Sequence, residues 1–221
     1  MIKAICFEYF NLLVTTDFFF LHMGEWLDTL IELKITEEQK TGWLNKIESY
    51  INENQNNSYD FLTLSCEGME VACLEYGFTV PKHAFESHTK MRIVMSRLPQ
   101  NNLKILQQLK KKYKIGILSR DKEEHIRTSC RRLPFQFNFI VCTNGEKNGK
   151  ESISIYESAA NLAECDVSEL LIVSDRIHEL SFPKGIGAQI ALLDLKKKTG
   201  QNILETFSSI EELEEYILKS S

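Results

Sequence analysis

A chain of 221 residues can bury a core as one domain with an insertion, or as two small domains. With 43% hydrophobic and 26% charged residues it has an ordinary globular composition, and a net charge of −5 offers no footprint for nucleic acid or an anionic membrane. Six scattered cysteines without a C-x-x-C pair exclude a disulfide frame and a zinc site, and as reduced thiols they predict a cytoplasmic protein.

The chain opens on a short apolar run, Ala4–Phe7, which predicts a fully buried strand ending at the carboxylate of Glu8. This start has the pattern of a strand and not of a secretory leader. From about residue 15 to residue 96 the rhythm becomes helical. Helices are predicted over Glu25–Leu33, Glu37–Asn54, Ser58–Tyr76 and Pro81–Met95, with no convincing strand among them. Thr36 followed by Glu37, Glu38 and Gln39 predicts a capping box, and Gly77 a helix end. Asn52–Asn57 is a polar connector, and no apolar run approaches the ~20 residues of a membrane span.

Beyond residue 96, helices and strands alternate. Asn101–Tyr113 predicts an amphipathic helix, then Ile115–Leu118 a strand, and Phe137–Cys142 a weaker one. Ile153–Ala163 predicts a helix, Leu170–Val173 and Ile190–Leu193 strands, and Ile210–Leu218 a closing helix with acidic residues in its first turn. The lysine runs Lys110–Lys112 and Lys196–Lys198 suit solvated element ends. The pattern predicts an α/β fold, a doubly wound parallel sheet with an inserted helical subdomain. Residues 1–14 and 97–221 would form the core and residues 15–96 the insertion.

Open parallel sheets bind ligands beyond the carboxyl ends of their strands. Polar groups stand there in four places: Glu8, Ser119, the pair Ser174–Asp175, and Lys150 ahead of a helix. A carboxylate, a hydroxyl and a lysine in one crevice suit nucleophilic attack, the lysine neutralising charge and the hydroxyl orienting the substrate. Glu8, Asp175 and Glu179 are candidate ligands for Mg²⁺, a hard cation suited to carboxylate oxygens. Ser119 could equally cap the helix that begins near Lys122. The five histidines show no metal-binding spacing.

In order and spacing these residues resemble the four motifs of the haloacid dehalogenase-like (HAD) superfamily. The stretch KAICFEYFNLLV is similar to motif I, with Glu8 at the nucleophile position; GILSR places Ser119 at motif II. GKESISIY places Lys150 at motif III with Tyr156 six residues on, and LLIVSDRIHELSFPKGIG resembles motif IV through Asp175 and Glu179. The helical stretch after motif I falls where the superfamily carries its cap. An aromatic, Phe10, stands where phosphatases carry a proton-donating aspartate, which resembles the 2-haloacid dehalogenase branch. The resemblance implies catalytic roles for Glu8, Ser119, Lys150 and Asp175. It also implies substrate contacts from Phe10, Asn11, Arg120, Tyr156 and Ser174, of which Ser119, Lys150, Tyr156 and Ser174 would surround a substrate carboxylate. A dehalogenase-like chemistry would use no metal.

Glu8 itself departs from the pattern, replacing an aspartate and carrying its carboxylate roughly 1.5 Å further. Asn11 and Leu12 replace a Gly-Thr pair, Arg176 stands where dehalogenases tend to have asparagine, and residues 15–91 contain no arginine. Two functions follow. One is a HAD-like hydrolase of a small organic acid or phosphate ester, with altered or weak activity. The other is an inactive HAD-fold protein serving as a ligand- or protein-binding module. The expected partners are a small-molecule substrate or ligand and, at the level of assembly, a homodimer; nucleic acid and membrane are not expected.

Overall fold

The computed structural model describes residues 1–9, 13–14, 23, 25–29, 35–54, 60–145, 149–193 and 206–219. Five strands follow the predicted order: β1 (Ala4–Glu8), β2 (Lys114–Ser119), β3 (Phe139–Cys142), β4 (Leu170–Ser174) and β5 (Gln189–Leu193). A sixth, β6 (Thr206–Phe207), is too short to leave a hydrophobic pattern. All pair in parallel in the order β3-β2-β1-β4-β5-β6. Strand β1 is flanked by β2 on one side and β4 on the other. The chain reverses its direction of winding there, which opens a crevice at the carboxyl ends of those strands.

Side chains alternate between the two faces of the sheet. Ile5 and Phe7 join Ile115, Ile117, Leu171 and Val173 on one face. Helices α4 (Gln100–Leu109), α5 (Glu123–Cys130) and α8 (Ile210–Lys219) cover it through residues such as Leu106, Ile126 and Leu213. Ala4 and Cys6 join Leu118, Leu170 and Ile172 on the other face, beneath α6 (Ile153–Ala163) and α7 (Ile177–Gly185). By the same alternation Glu8 and Ser174 fall on the α6–α7 face. Tyr9 packs into the opposite cluster, its hydroxyl 2.5 Å from Ser129 of α5.

Between β1 and α4 lie α1 (Glu37–Asn54), α2 (Phe61–Tyr76) and α3 (Lys82–Val94); residues 25–28 are also helical. These helices enclose a separate apolar cluster in which Trp43, Ile47, Leu64, Met69 and Phe85 are buried. The capping box forms: Gln39 N–H donates to Thr36 Oγ1 at 3.2 Å, and Gln39 Oε1 accepts from Thr36 N–H at 2.9 Å. Gly77 ends α2 with φ 71°, a conformation that favours glycine.

Some expected boundaries shift. Helix α2 begins at Phe61, because Asp60 caps it by accepting from Thr63 N–H at 2.9 Å. Helix α4 stops at Leu109, and the exposed Lys110–Lys112 form turns before β2. Strand β3 starts two residues later than expected. Lys196–Lys198 and parts of the expected helix Glu25–Leu33 and connector Asn52–Asn57 lie outside the described residues. No described helix is long and apolar enough to cross a membrane.

Candidate active site

Glu8 ends β1 with only 7% of its surface exposed, so its carboxylate needs partners within the fold. It has two. Lys150 Nζ donates to Oε1 at 2.8 Å, and Ser174 Oγ donates to Oε2 at 2.9 Å. Lys150 lies in a 3-10 turn, Gly149–Glu151, just ahead of α6, and its carbonyl accepts from Tyr156 Oη at 2.9 Å. That bond fixes the lysine's backbone to the first turns of α6. The same ammonium donates to Glu179 Oε2 at 2.9 Å.

Glu179 stands in the first turn of α7, with 4% of its side chain exposed. Its Oε1 accepts from Arg176 Nη1 at 3.2 Å and also from Arg120 Nη2. Ser174 Oγ lies 3.4 Å from Oε2 and accepts the Arg176 N–H at 3.1 Å. Burial alone would raise the Glu179 carboxyl; Lys150, Arg176 and Arg120 hold it well below the usual carboxylate range. Burial likewise presses Lys150 down, and Glu179 and Glu8 outweigh it, so the ammonium is held above its ordinary value. The group is a cluster of two carboxylates and three cations drawn from β1, the turn after β2, the turn before α6, the end of β4, and α7.

Asp175 differs. Burial first, then the neighbouring Glu8, push its carboxyl up to about 6. Its Oδ1 and Arg176 Nε are buried without a hydrogen-bond partner and stand 3.7 Å apart.

Ser119 ends β2 with 2% exposure, turned to neither Glu8 nor Lys150 by any hydrogen bond. Its hydroxyl donates to Asp121 Oδ2 at 2.8 Å and accepts the Asp121 N–H at 3.2 Å. Asp121 Oδ1 accepts from Phe61 N–H at 3.0 Å, which ties the start of α2 to the end of β2. Burial raises the Asp121 carboxyl to about 6. Ser119 is not the cap of α5: Lys122 holds that position and Asn144 Oδ1 accepts the Glu123 N–H at 2.9 Å.

The structure thus brings Glu8, Lys150, Ser174, Glu179 and Arg120 into direct contact, with Asp175 and Tyr156 adjoining. Phe10 and Asn11 lie outside the described residues. Two participants carried no predicted role. Arg176 is visible in sequence only as a departure in motif IV, and Asp121 only as an acid two places beyond Ser119.

The expected metal trio, Glu8, Asp175 and Glu179, is otherwise engaged in this structure. A divalent cation requires carboxylates turned toward one point with open lone pairs. No group of three or more His, Cys, Asp or Glu gathers in this way among the described residues. Lys150 occupies the space between Glu8 and Glu179, and two guanidinium groups take the other Glu179 oxygen. Three carboxylates meet three cations, a donor set that does not fit Mg²⁺.

No family model and no curated protein matches the chain. Solved structures do. The L-2-haloacid dehalogenase of Xanthobacter autotrophicus, with chloropropionic acid covalently bound, aligns over 100% of both chains with a TM-score of 0.71 at 13% identity. The chain has the haloacid dehalogenase-like fold. A defluorinating L-2-haloacid dehalogenase aligns over 98% of this chain and 95% of its own, with a TM-score of 0.73 and 13% identity. YfnB of Bacillus subtilis, described as a HAD-hydrolase and bound to magnesium, aligns over 98% of each chain with a TM-score of 0.78 at 12% identity. In this HAD-like fold the cluster around Glu8 lies at the carboxyl end of β1, at the switch point between β2 and β4.

Proposed function

We propose that this chain is a HAD-type hydrolase of a small organic acid or phosphate ester, working through Glu8 and without a metal ion. The observation that carries the reading is the Glu8 carboxylate, held at the end of the central strand by Lys150 and Ser174. A Glu8 oxygen forms a bond to the carbon or phosphorus bearing the leaving group, which departs with its electron pair. Water then cleaves the resulting ester or acyl phosphate and restores the carboxylate. Asp175 is suited to take the proton of that water, since Oδ1 is an acceptor with no hydrogen-bond partner of its own. Lys150 balances the changing charge on Glu8 throughout.

One observation favours the alternative, a non-catalytic binding module. Each donor that the resemblance assigns to a substrate carboxylate already has an acceptor in the chain. Ser119 holds Asp121, Tyr156 the Lys150 carbonyl, Ser174 Glu8, and Lys150 both Glu8 and Glu179.

A screen of 2-haloacids and phosphate esters, with and without EDTA, on the wild type, Glu8→Gln and Glu8→Asp separates the two. The hydrolase turns over a substrate in EDTA and loses at least about 100-fold in rate as Glu8→Gln. A silent wild type with activity gained in Glu8→Asp marks a disabled enzyme and overturns the proposal.

A further inference from the structure

Two buried carboxylates stand at the boundary between the inserted helices and the sheet, one from each side. Asp60 and Asp121 are each 5% exposed. Asp60 precedes α2, where its Oδ1 accepts the Thr63 N–H at 2.9 Å and its Oδ2 the Thr63 hydroxyl at 3.0 Å. Asp121 follows β2 and reaches the same helix end, its Oδ1 accepting the Phe61 N–H and its Oδ2 the Ser119 hydroxyl. The turn after β3 closes in from a third direction. Gly145 N–H donates to the Arg120 carbonyl at 2.7 Å, and a Cβ added at Gly145 would lie 2.8 Å from Asp60 Oδ2. The start of α2 is thus seated between two turns of the core.

Glu8 and Glu179 are buried with cations, whereas among the described residues neither Asp60 nor Asp121 forms an ion pair. Burial pushes the Asp121 carboxyl up to about 6; its two hydrogen bonds oppose the rise, Asp60 adds to it, and Lys150 resists it. Other titratable groups surround the pair. Burial raises Cys142 of β3 and Tyr9 beyond β1, so both are neutral in the acid range, and it lowers His125 of α5, which lies near Asp60. Arg120 is paired with Glu179, and Glu86 with Lys90 on α3. Lys122 and Glu123 adjoin Asp121 in sequence.

We propose that Asp121 and Asp60 form a proton-operated clasp: a proton on Asp121 holds the start of α2 against the core, and its release to solvent sets two like charges against that contact. Once protonated, Asp121 Oδ2 donates to Ser119 Oγ while Oδ1 still accepts the Phe61 N–H, so the contact persists without the charge. The seated carboxyl holds its proton more tightly than a solvated one of ordinary value 3.8. Seating is therefore strongest below that value and weakens as pH rises through about 6. The clasp governs how freely the inserted helices part from the crevice edge at Ser119, and it does not depend on the hydrolase reading.

The test is hydrogen exchange of the full chain from about pH 4.5 to about pH 7.5, read as protection corrected for the intrinsic rate at each pH. Protection at the Phe61 amide, relative to amides within β1, should fall at least about tenfold over that range. Asp121→Asn keeps an acceptor for Phe61 and should flatten the fall. Asp60→Asn keeps the helix cap and should move the midpoint to lower pH. Asp175→Asn and His125→Gln remove the other groups that titrate nearby and should leave the fall in place. A wild type with no fall, a fall that persists in Asp121→Asn, or one that vanishes in Asp175→Asn or His125→Gln overturns the proposal. Should Asp121→Asn fail to fold, Asp60→Asn carries the test, and an unmoved midpoint overturns it.

Discussion

Burial of Asp175 has opposite consequences for stability and for turnover. Its carboxyl is raised from 3.8 to about 6, so between those values the folded chain holds a proton that the unfolded chain has released. Stability from this group is therefore lost as pH rises through that window. The proposed base must be ionised, however, so turnover should appear as pH rises through about 6. Asp175→Asn should abolish that ascending limb in a pH–rate profile, and its stability relative to wild type should improve from about pH 4.5 to about pH 7.5 in urea titrations. Glu179 has the other sign. Its stabilisation is complete above the ordinary carboxylate value of 4.5 and is lost as pH falls below it. At this scale the sequence marked Glu8, Lys150 and Ser174 because each sits at a strand or helix end with a patterned neighbour. It could not mark Arg176, since nothing local distinguishes an arginine that reaches a buried carboxylate from one in solvent.

Two helices were legible to the residue, Glu37–Asn54 and Ile153–Ala163; each carries an apolar stripe, and the first also has the Thr36–Gln39 capping box. The sequence pattern carries α4 past its end because Lys110–Lys112 are good helix formers, and only the need to turn into β2 ends it at Leu109. The link between α2 and the core was not legible at all. Among the described residues it includes one carboxylate, Asp121, shared between the Phe61 N–H and Ser119. Asp121→Ala should cost about 1–3 kcal/mol by leaving buried donors unmet. Hydrogen exchange at the Phe61 amide should accelerate more than at amides within β1; equal protection at Phe61 in both proteins would show that this bond does not hold the junction.

Across the whole molecule, runs such as Ile115–Leu118 predict buried strands in a parallel sheet, but they do not specify neighbours, so the order β3-β2-β1-β4-β5-β6 is visible only in the structure. The close packing of β2 on β3 needs the absence of a side chain at Gly116, where an added Cβ would come within 2.1 Å of the Phe139 ring. Gly116→Ala should lower stability by about 1–3 kcal/mol through overpacking, a shift readable as a lower Tm. The ion cluster has larger reach. Lys150→Met removes the cation between two buried carboxylates and should cost about 3–5 kcal/mol in denaturant titrations.

The sequence separations within that cluster also bear on time. Lys150 and Glu8 are 142 positions apart, and Ser174 and Glu8 are 166 apart. Contacts so distant along the chain close only after β1 has found both β2 and β4, and loop closure makes such steps slow. The cluster should then be absent from the transition state for folding, and loss of Lys150 should be felt almost wholly as faster unfolding. Stopped-flow refolding of Lys150→Met at the wild-type rate, with unfolding accelerated, is the expected result. The ionic contacts of this crevice would thus act as a latch on the native state, governing how long a folded molecule lasts more than how quickly it forms.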